Sequence, residues 1–143
     1  MTRSIEVLTL PAALAARIRQ EARLCYPREA CGFLVGDWVG NHARVRQAQA
    51  AANRATRNDR FLIEAADVFA TMQAARAHGE EILGVYHSHP EADAVPSETD
   101  RAEAWGEWLH LIVACRGSAA AEMKCWRHAG DSFVAVDIQT EAT

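Results

Sequence analysis

Three candidate metal ligands, His87, His89 and Asp100, sit with Ser97 in one stretch, "GVYHSHPEADAVPSETD", residues 84–100. Each imidazole offers one neutral nitrogen and the carboxylate offers a hard oxygen, a donor set that suits a divalent cation. Residues two apart on a strand point to the same face, so His87 and His89 project together where the apolar run "ILGVYHSH" ends. Pro90 cannot continue the ladder and turns the chain out. The ordinary alternative is a pair of polar residues at a strand exit. Ser97 and Asp100 have an ordinary alternative too. Ser-x-x-Asp ahead of a helical run is a capping box, in which the serine satisfies an orphan amide and the helix dipole favours the acid. A helix N-terminus set beside the histidines would turn Asp100 into a third ligand. Two histidines and one aspartate leave a fourth position on zinc for water, which is the arrangement of a catalytic site.

The elements that must position these residues follow from periodicity. Pro11 opens a helical pattern that Pro27 ends, with Leu14, Ile18 and Cys25 near one face. "ACGFLVGD" reads as a buried strand, "NHARVRQAQAAAN" as a second, and "RFLIEA" as a short third. "EAADVFATMQAARAHG" is an amphipathic helix with Val68, Phe69, Met72 and Ala75 inward and Gly79 at its stop. "EILGVYHSH" is a strand, and "PSETDRAEAWGEW" a helix starting near Ser97. "LHLIVACR", "AEMKCWRH" and "SFVAVDI" close the chain as strands, leaving the last five residues frayed. The order α, β, β, β, α, β, α, β, β, β describes a mixed α+β (α/β) sheet with helices packed against it.

Length and composition narrow the class. A chain of 143 residues is most simply one domain, 1–143, long enough to bury a core. Half of it is apolar and 24% is charged, with a net charge of −4 and Lys124 as the only lysine, so nothing points to nucleic acid as a partner. Arginines soon interrupt the N-terminal segment, which excludes a secretory signal, and no apolar run reaches the roughly 20 residues that cross a membrane. Cys25, Cys31, Cys115 and Cys125 form no C-x-x-C pair and read as reduced, small, buried side chains of a cytoplasmic protein.

"HSHPEADAVPSETD" resembles the signature of the JAMM/MPN+ (JAB domain) zinc metalloprotease family: His-x-His-Pro, six residues, then Ser-x-x-Asp. The family's upstream glutamate precedes a glycine-containing strand, and "EACGFLVG" resembles that segment, with the glutamate at Glu29. The likeness extends through "FLIEAADVF" and the strands beyond the third helix, with no departure at any of the five positions. It implies a single MPN/JAB domain with a mixed, mostly antiparallel sheet flanked by helices, similar in architecture to cytidine deaminases. It also implies that His87, His89 and Asp100 hold one Zn2+ per chain, that Glu29 is the acid/base partner of the activated water, and that Ser97 donates to the oxyanion. On spacing alone Glu29 is a solvated carboxylate at a helix-to-strand connection, and Ser97 has one hydroxyl for two competing roles.

As a bare domain the chain resembles the small stand-alone prokaryotic members. Their implied substrate is a ubiquitin-like β-grasp sulfur-carrier protein, cut after its C-terminal Gly-Gly. A diglycine tail has no side chains and can lie extended in a narrow groove. The segment from Arg54 to Arg60, "NRATRNDRF", is a candidate flap or carrier contact, against the ordinary reading of a solvated loop. Cys31 sits two residues after Glu29 and reads as a buried strand cysteine. His42, His78, His110 and His128 lie outside any ligand spacing and read as surface or structural; Trp105, Trp108 and Trp126 read as packing aromatics. Two rival functions remain: a non-catalytic MPN-type binding scaffold, and an Fe(II) two-His-one-carboxylate oxygenase. A zinc nucleobase deaminase needs H-x-E with P-C-x-x-C, and neither motif is present.

Overall fold

The computed structural model describes residues 4–102, 106–117 and 119–142. Seven strands and three helices alternate as β1 (Val7–Pro11), α1 (Ala12–Cys25), β2 (Cys31–Val39), β3 (His42–Ala51), α2 (Ala65–Ala77), β4 (Glu81–Pro90), α3 (Glu98–Ala102), β5 (Leu109–Arg116), β6 (Ala119–Ala129) and β7 (Ser132–Glu141). The strands join in the order β1-β3-β2-β4-β5-β6-β7, and β1 closes the ring by pairing in parallel with both β3 and β7. The β4–β5 pair is also parallel; the remaining four pairs are antiparallel, so the sheet is mixed and mostly antiparallel as expected.

The helices divide the sheet's side chains by parity. On α1 the buried residues are Ala15, Ile18 and Ala22, one stripe of a 3.6-residue period, and they pack with Leu8, Leu34, Leu83 and Leu111. On the opposite face α2 covers Phe33, Val35, Ile82 and Val85 with Val68 and Ala75. In β2, therefore, Leu34 faces α1 and its neighbours face α2, as a strand's two-residue period requires.

Strand β4 breaks that period once. Leu34 pairs with Gly84 and Val35 with Ile82, so Leu83 is an extra residue inserted into the ladder. The insertion puts Ile82 and Val85 on the α2 face although they are three apart. From Val85 onward, alternation carries His87 and His89 to that same face.

Several expectations need correction. Strand β1 was not foreseen. "RFLIEA" forms no strand: residues 60–64 run without regular pairing into α2. The chain end is paired rather than frayed, since Gln139, Thr140 and Glu141 lie in register with β1. Phe69 and Met72 face outward, at 61% and 37% exposure. Cys25 is exposed, while Cys31, Cys115 and Cys125 are buried, and all four are free thiols. The expected helix over residues 96–108 is shorter: α3 is assigned to Glu98–Ala102, and residues 106–107 form a turn. Trp105 lies outside the described residues. No helix among those described is long and apolar enough to cross a membrane.

Candidate functional site

Strand β4 delivers both histidines to one buried spot: His87 is fully buried and His89 nearly so, with ring centroids 5.0 Å apart. The connection from α1 to β2 supplies Glu29, 4% exposed, whose Oε1 lies 3.3 Å from His87 Nδ1. The first turn of α3 supplies Asp100. Its Oδ2 lies 3.1 Å from His89 Nε2 and its Oδ1 lies 3.8 Å from His87 Nε2. Two further segments, the α1–β2 connection and the start of α3, thus converge on the two rings of β4.

Asp100 reaches that position because it is also half of a capping box. Its amide donates to Ser97 Oγ at 3.0 Å, and the Ser97 amide donates back to Asp100 Oδ2 at 2.8 Å. Capping therefore uses a lone pair of the Ser97 hydroxyl and leaves the proton free to donate, since a hydroxyl carries one donor and two acceptor sites. The expected competition between cap and oxyanion donor does not arise. The loop before α3 is pinned from three sides: His89 Nδ1 lies 2.9 Å from the Asp93 carbonyl, Trp126 Nε1 donates to the Ala94 carbonyl, and the Glu91 amide donates to the Cys115 carbonyl.

Both His89 nitrogens face acceptors, Nδ1 the Asp93 carbonyl and Nε2 the Asp100 carboxylate, and a singly protonated ring can donate to only one of them. With the ring proton on Nδ1, the Nε2 lone pair faces the carboxylate, and a proton or a cation must lie between those two acceptors. Burial alone would push the Asp100 carboxyl up, but the His89 bond, the His87 ring and the Ser97 amide hold it well below the usual carboxylate range. Burial likewise opposes a charged His89, and the Asp100 and Asp93 contacts outweigh it and raise its pKa. His87 Nδ1, His87 Nε2 and Glu29 Oε1 are buried with no hydrogen-bond partner. Orphaned buried polar atoms are costly, and here they lie together in one buried cluster. Ligand atoms of Glu29, His87 and His89 lie within 4.8 Å of one another, so this buried group can bind a metal, with Asp100 alongside.

Two neighbours had no signal in the sequence. Phe61 stacks on His87 at 4.4 Å between ring centroids, clamping the imidazole in plane. His110 was expected to be surface or structural. It is 4% exposed, lies edge-on to His87 at 6.3 Å, and has both nitrogens without a hydrogen-bond partner. Burial, reinforced by the field of His87, pushes its pKa down to about 4. His110 and Phe61 also wall a mostly apolar cavity of about 330 Å³ beside the histidines, together with Phe33, Ile63, Val68 and Val85.

The arginine-bearing segment meets this site at its two ends, through Asn53 on the Glu29 carbonyl and Phe61 on His87, and its arginines pair with nearby acids: Arg54 with Glu64 at 3.3 Å, Arg57 with Asp59 at 2.6 Å and Arg60 with Asp59 at 3.8 Å. Cys31 is a buried strand residue, as expected, and burial together with Glu29 raises its thiol to about 12, which makes it a poor nucleophile. Trp108 packs edge-to-face on Phe33 and Trp126 against Ala94 and Ile112, both as packing aromatics.

Residues 11–129 match the family of prokaryotic homologs of the JAB domain. A protein named desampylase from Haloferax volcanii is 32% identical over 118 residues, 80% of either chain. A second desampylase, from Pyrococcus furiosus, is 29% identical over 100 residues, covering 68% of this chain and 65% of that one. Among solved structures, a Salinibacter ruber protein superposes with a TM-score of 0.72 at 33% identity, covering 96% of this chain and 92% of that one. A JAB1/MPN domain protein from Archaeoglobus fulgidus, 20% identical over 95% of this chain and 98% of its own, gives a TM-score of 0.57 and bears on the fold alone.

Proposed function

The chain belongs to the prokaryotic JAB-domain family, and from that premise we propose that it is a cytoplasmic zinc metallopeptidase that cuts after the C-terminal Gly-Gly of a small ubiquitin-like protein of the sulfur-carrier type. The observation that carries the proposal is the gathering of the buried, unpartnered Glu29 Oε1 and His87 ring nitrogens beside a His89 whose Nε2 lies 3.1 Å from Asp100 Oδ2. In this reading His87, His89 and Asp100 hold zinc and Glu29 remains the acid/base. When bound, zinc supplies Lewis acidity, which makes water acidic near pH ~7 and draws charge from a carbonyl oxygen.

The protein's own groups do the rest. Glu29 takes the proton from the attacking water and returns it to the leaving amine, which a carboxylate held against the site can do without large movement. The Ser97 hydroxyl, its lone pair engaged by the Asp100 amide, donates its proton to the developing oxyanion. Phe61 keeps the His87 ring from swinging, and the apolar cavity beside it excludes water from one flank. The relatives named desampylase support a substrate of the ubiquitin-like class. Four free thiols fit a reducing compartment.

Carriers ending in Gly-Gly-X, with X in peptide or isopeptide linkage, are incubated with wild type and with Glu29→Gln and read by mass spectrometry. Wild type releases X and leaves Gly-Gly as the new terminus. The amide variant keeps its zinc and its fold and loses most turnover. Near wild-type cleavage by Glu29→Gln would assign the base elsewhere.

A further inference from the structure

The serine between the two histidines points away from them, and its hydroxyl is already in use. Ser88 is 1% exposed and sits opposite Ala30, one step beyond the paired residues Cys31 and His87. In a regular antiparallel ladder two such residues exchange both backbone hydrogen bonds. Here the Ser88 amide donates to the Ala30 carbonyl at 3.0 Å, but the Ala30 amide donates to Ser88 Oγ at 2.8 Å. A side-chain oxygen has replaced a backbone one, at the place where the chain enters β2 from Glu29.

The other end of the same peptide unit is also held by a side chain. The Glu29 carbonyl accepts from Asn53 Nδ2 at 3.0 Å. Asn53 uses its full bonding capacity: Nδ2 also donates to the Arg60 carbonyl, while Oδ1 accepts from the amides of Ala55 and Leu62. One amide group thus ties the loop that carries Phe61 to the backbone of Glu29. Arg28, next in the chain, donates to the carbonyls of Asn53 and Ala55 and binds the same two segments together.

We propose that Ser88 and Asn53 are positioning residues that grip the Glu29–Ala30 peptide at its N–H and its C=O and so aim the Glu29 carboxylate at the histidine site. The inference rests on the acid/base role of Glu29 given above. Neither residue touches the reacting atoms. Their effect is on the angle at which a short side chain leaves its backbone, where a displacement of about 1 Å is enough to cost ~10²-fold in rate.

The variants Ser88→Ala, Ser88→Thr and Asn53→Asp are measured beside wild type on a Gly-Gly-X carrier, with zinc content and backbone amide exchange recorded for each. Ser88→Ala lowers kcat by about 10-fold to 10²-fold with KM within about twofold, and Ser88→Thr, which keeps the hydroxyl, restores most of it. Asn53→Asp still accepts from Ala55 and Leu62, but it can no longer donate to the Glu29 and Arg60 carbonyls, and it shows the same loss in kcat. Zinc stays bound in all three. Independently of activity, the Ala30 amide exchanges at least about 10-fold faster in Ser88→Ala and not in Ser88→Thr. Unchanged Ala30 exchange in a folded Ser88→Ala protein, or unchanged kcat in both Ser88→Ala and Asn53→Asp, overturns the clamp. An inactive wild type with the expected exchange pattern leaves the clamp standing and overturns the reading of the reaction instead.

Discussion

Replacing His110 by phenylalanine tests whether a buried imidazole beside the site is kept neutral by its surroundings. His110 is 4% exposed and walled by His87 and Phe133, and its pKa falls from an ordinary 6.5 to about 4. Between those values the unfolded chain binds a proton that the folded protein does not, so stability is full above pH 6.5 and falls as the pH drops towards 4. At about pH 5 the unfolded imidazole is almost wholly charged and the folded one almost wholly neutral. The difference of about 1.5 pH units then amounts to roughly 2 kcal/mol. Phenylalanine keeps an aromatic ring in the same wall and removes the titration. Urea unfolding of both proteins, metal-free, at about pH 7.5 and about pH 5 gives the test as a difference of differences. His89 titrates in the opposite sense, because Asp100 raises its pKa, but it is common to both proteins and cancels. Wild type is expected to lose roughly 2 kcal/mol more than His110→Phe between the two conditions. Equal losses would show that His110 titrates normally and that its burial does not carry the predicted electrostatic cost.

The ligand set predicts about one zinc per chain as purified, and either His89→Ala or Asp100→Ala should abolish it in elemental analysis; full retention in both removes the assignment. Ser97→Ala should cost about 1 kcal/mol as a lost cap and lower kcat by roughly 10²–10³-fold as a lost oxyanion donor, read by thermal unfolding beside turnover. Ser97→Asp should cap α3 well yet be nearly inactive with zinc bound, and an active, zinc-loaded protein would sink the oxyanion role. Gly32→Ala should destabilise by about 1–3 kcal/mol in chemical denaturation, because a methyl there runs into the Tyr86 ring and the Gln49 carbonyl; a neutral result would mean that the ring can retreat.

What was legible in the sequence was local. The two-residue period of β4 paired His87 with His89, and Ser97 with Asp100 was readable as a cap because both partners lie within one turn. The missed parts depend on distant partners. Val7–Pro11 is too short to declare itself, and it is a strand because β3 and β7 flank it. Residues 61–63 have strand-like composition because Phe61 and Ile63 are needed against His87 and the α2 core, while the Leu62 backbone is bonded by Asn53 and Arg54 instead of a ladder. Helix α2 is apolar on several sides, so periodicity had no means of telling Val68, which is buried, from Phe69, which is not. His110 lies in a strand buried on both faces, where nothing in the residue order marks one position as adjoining the site.

The pairing of β1 with β7 has a mechanical consequence. Five consecutive residue pairs, Val7 with Asp137 through Pro11 with Glu141, join the first strand to the last in parallel. A force that draws the two ends of the chain apart pulls β1 backwards along its axis and β7 forwards along the same line. That loads every bond of the seam in shear at once, instead of peeling them one by one. A protein gripped by its ends should therefore resist extension until the whole seam slips, and only then surrender the barrel behind it.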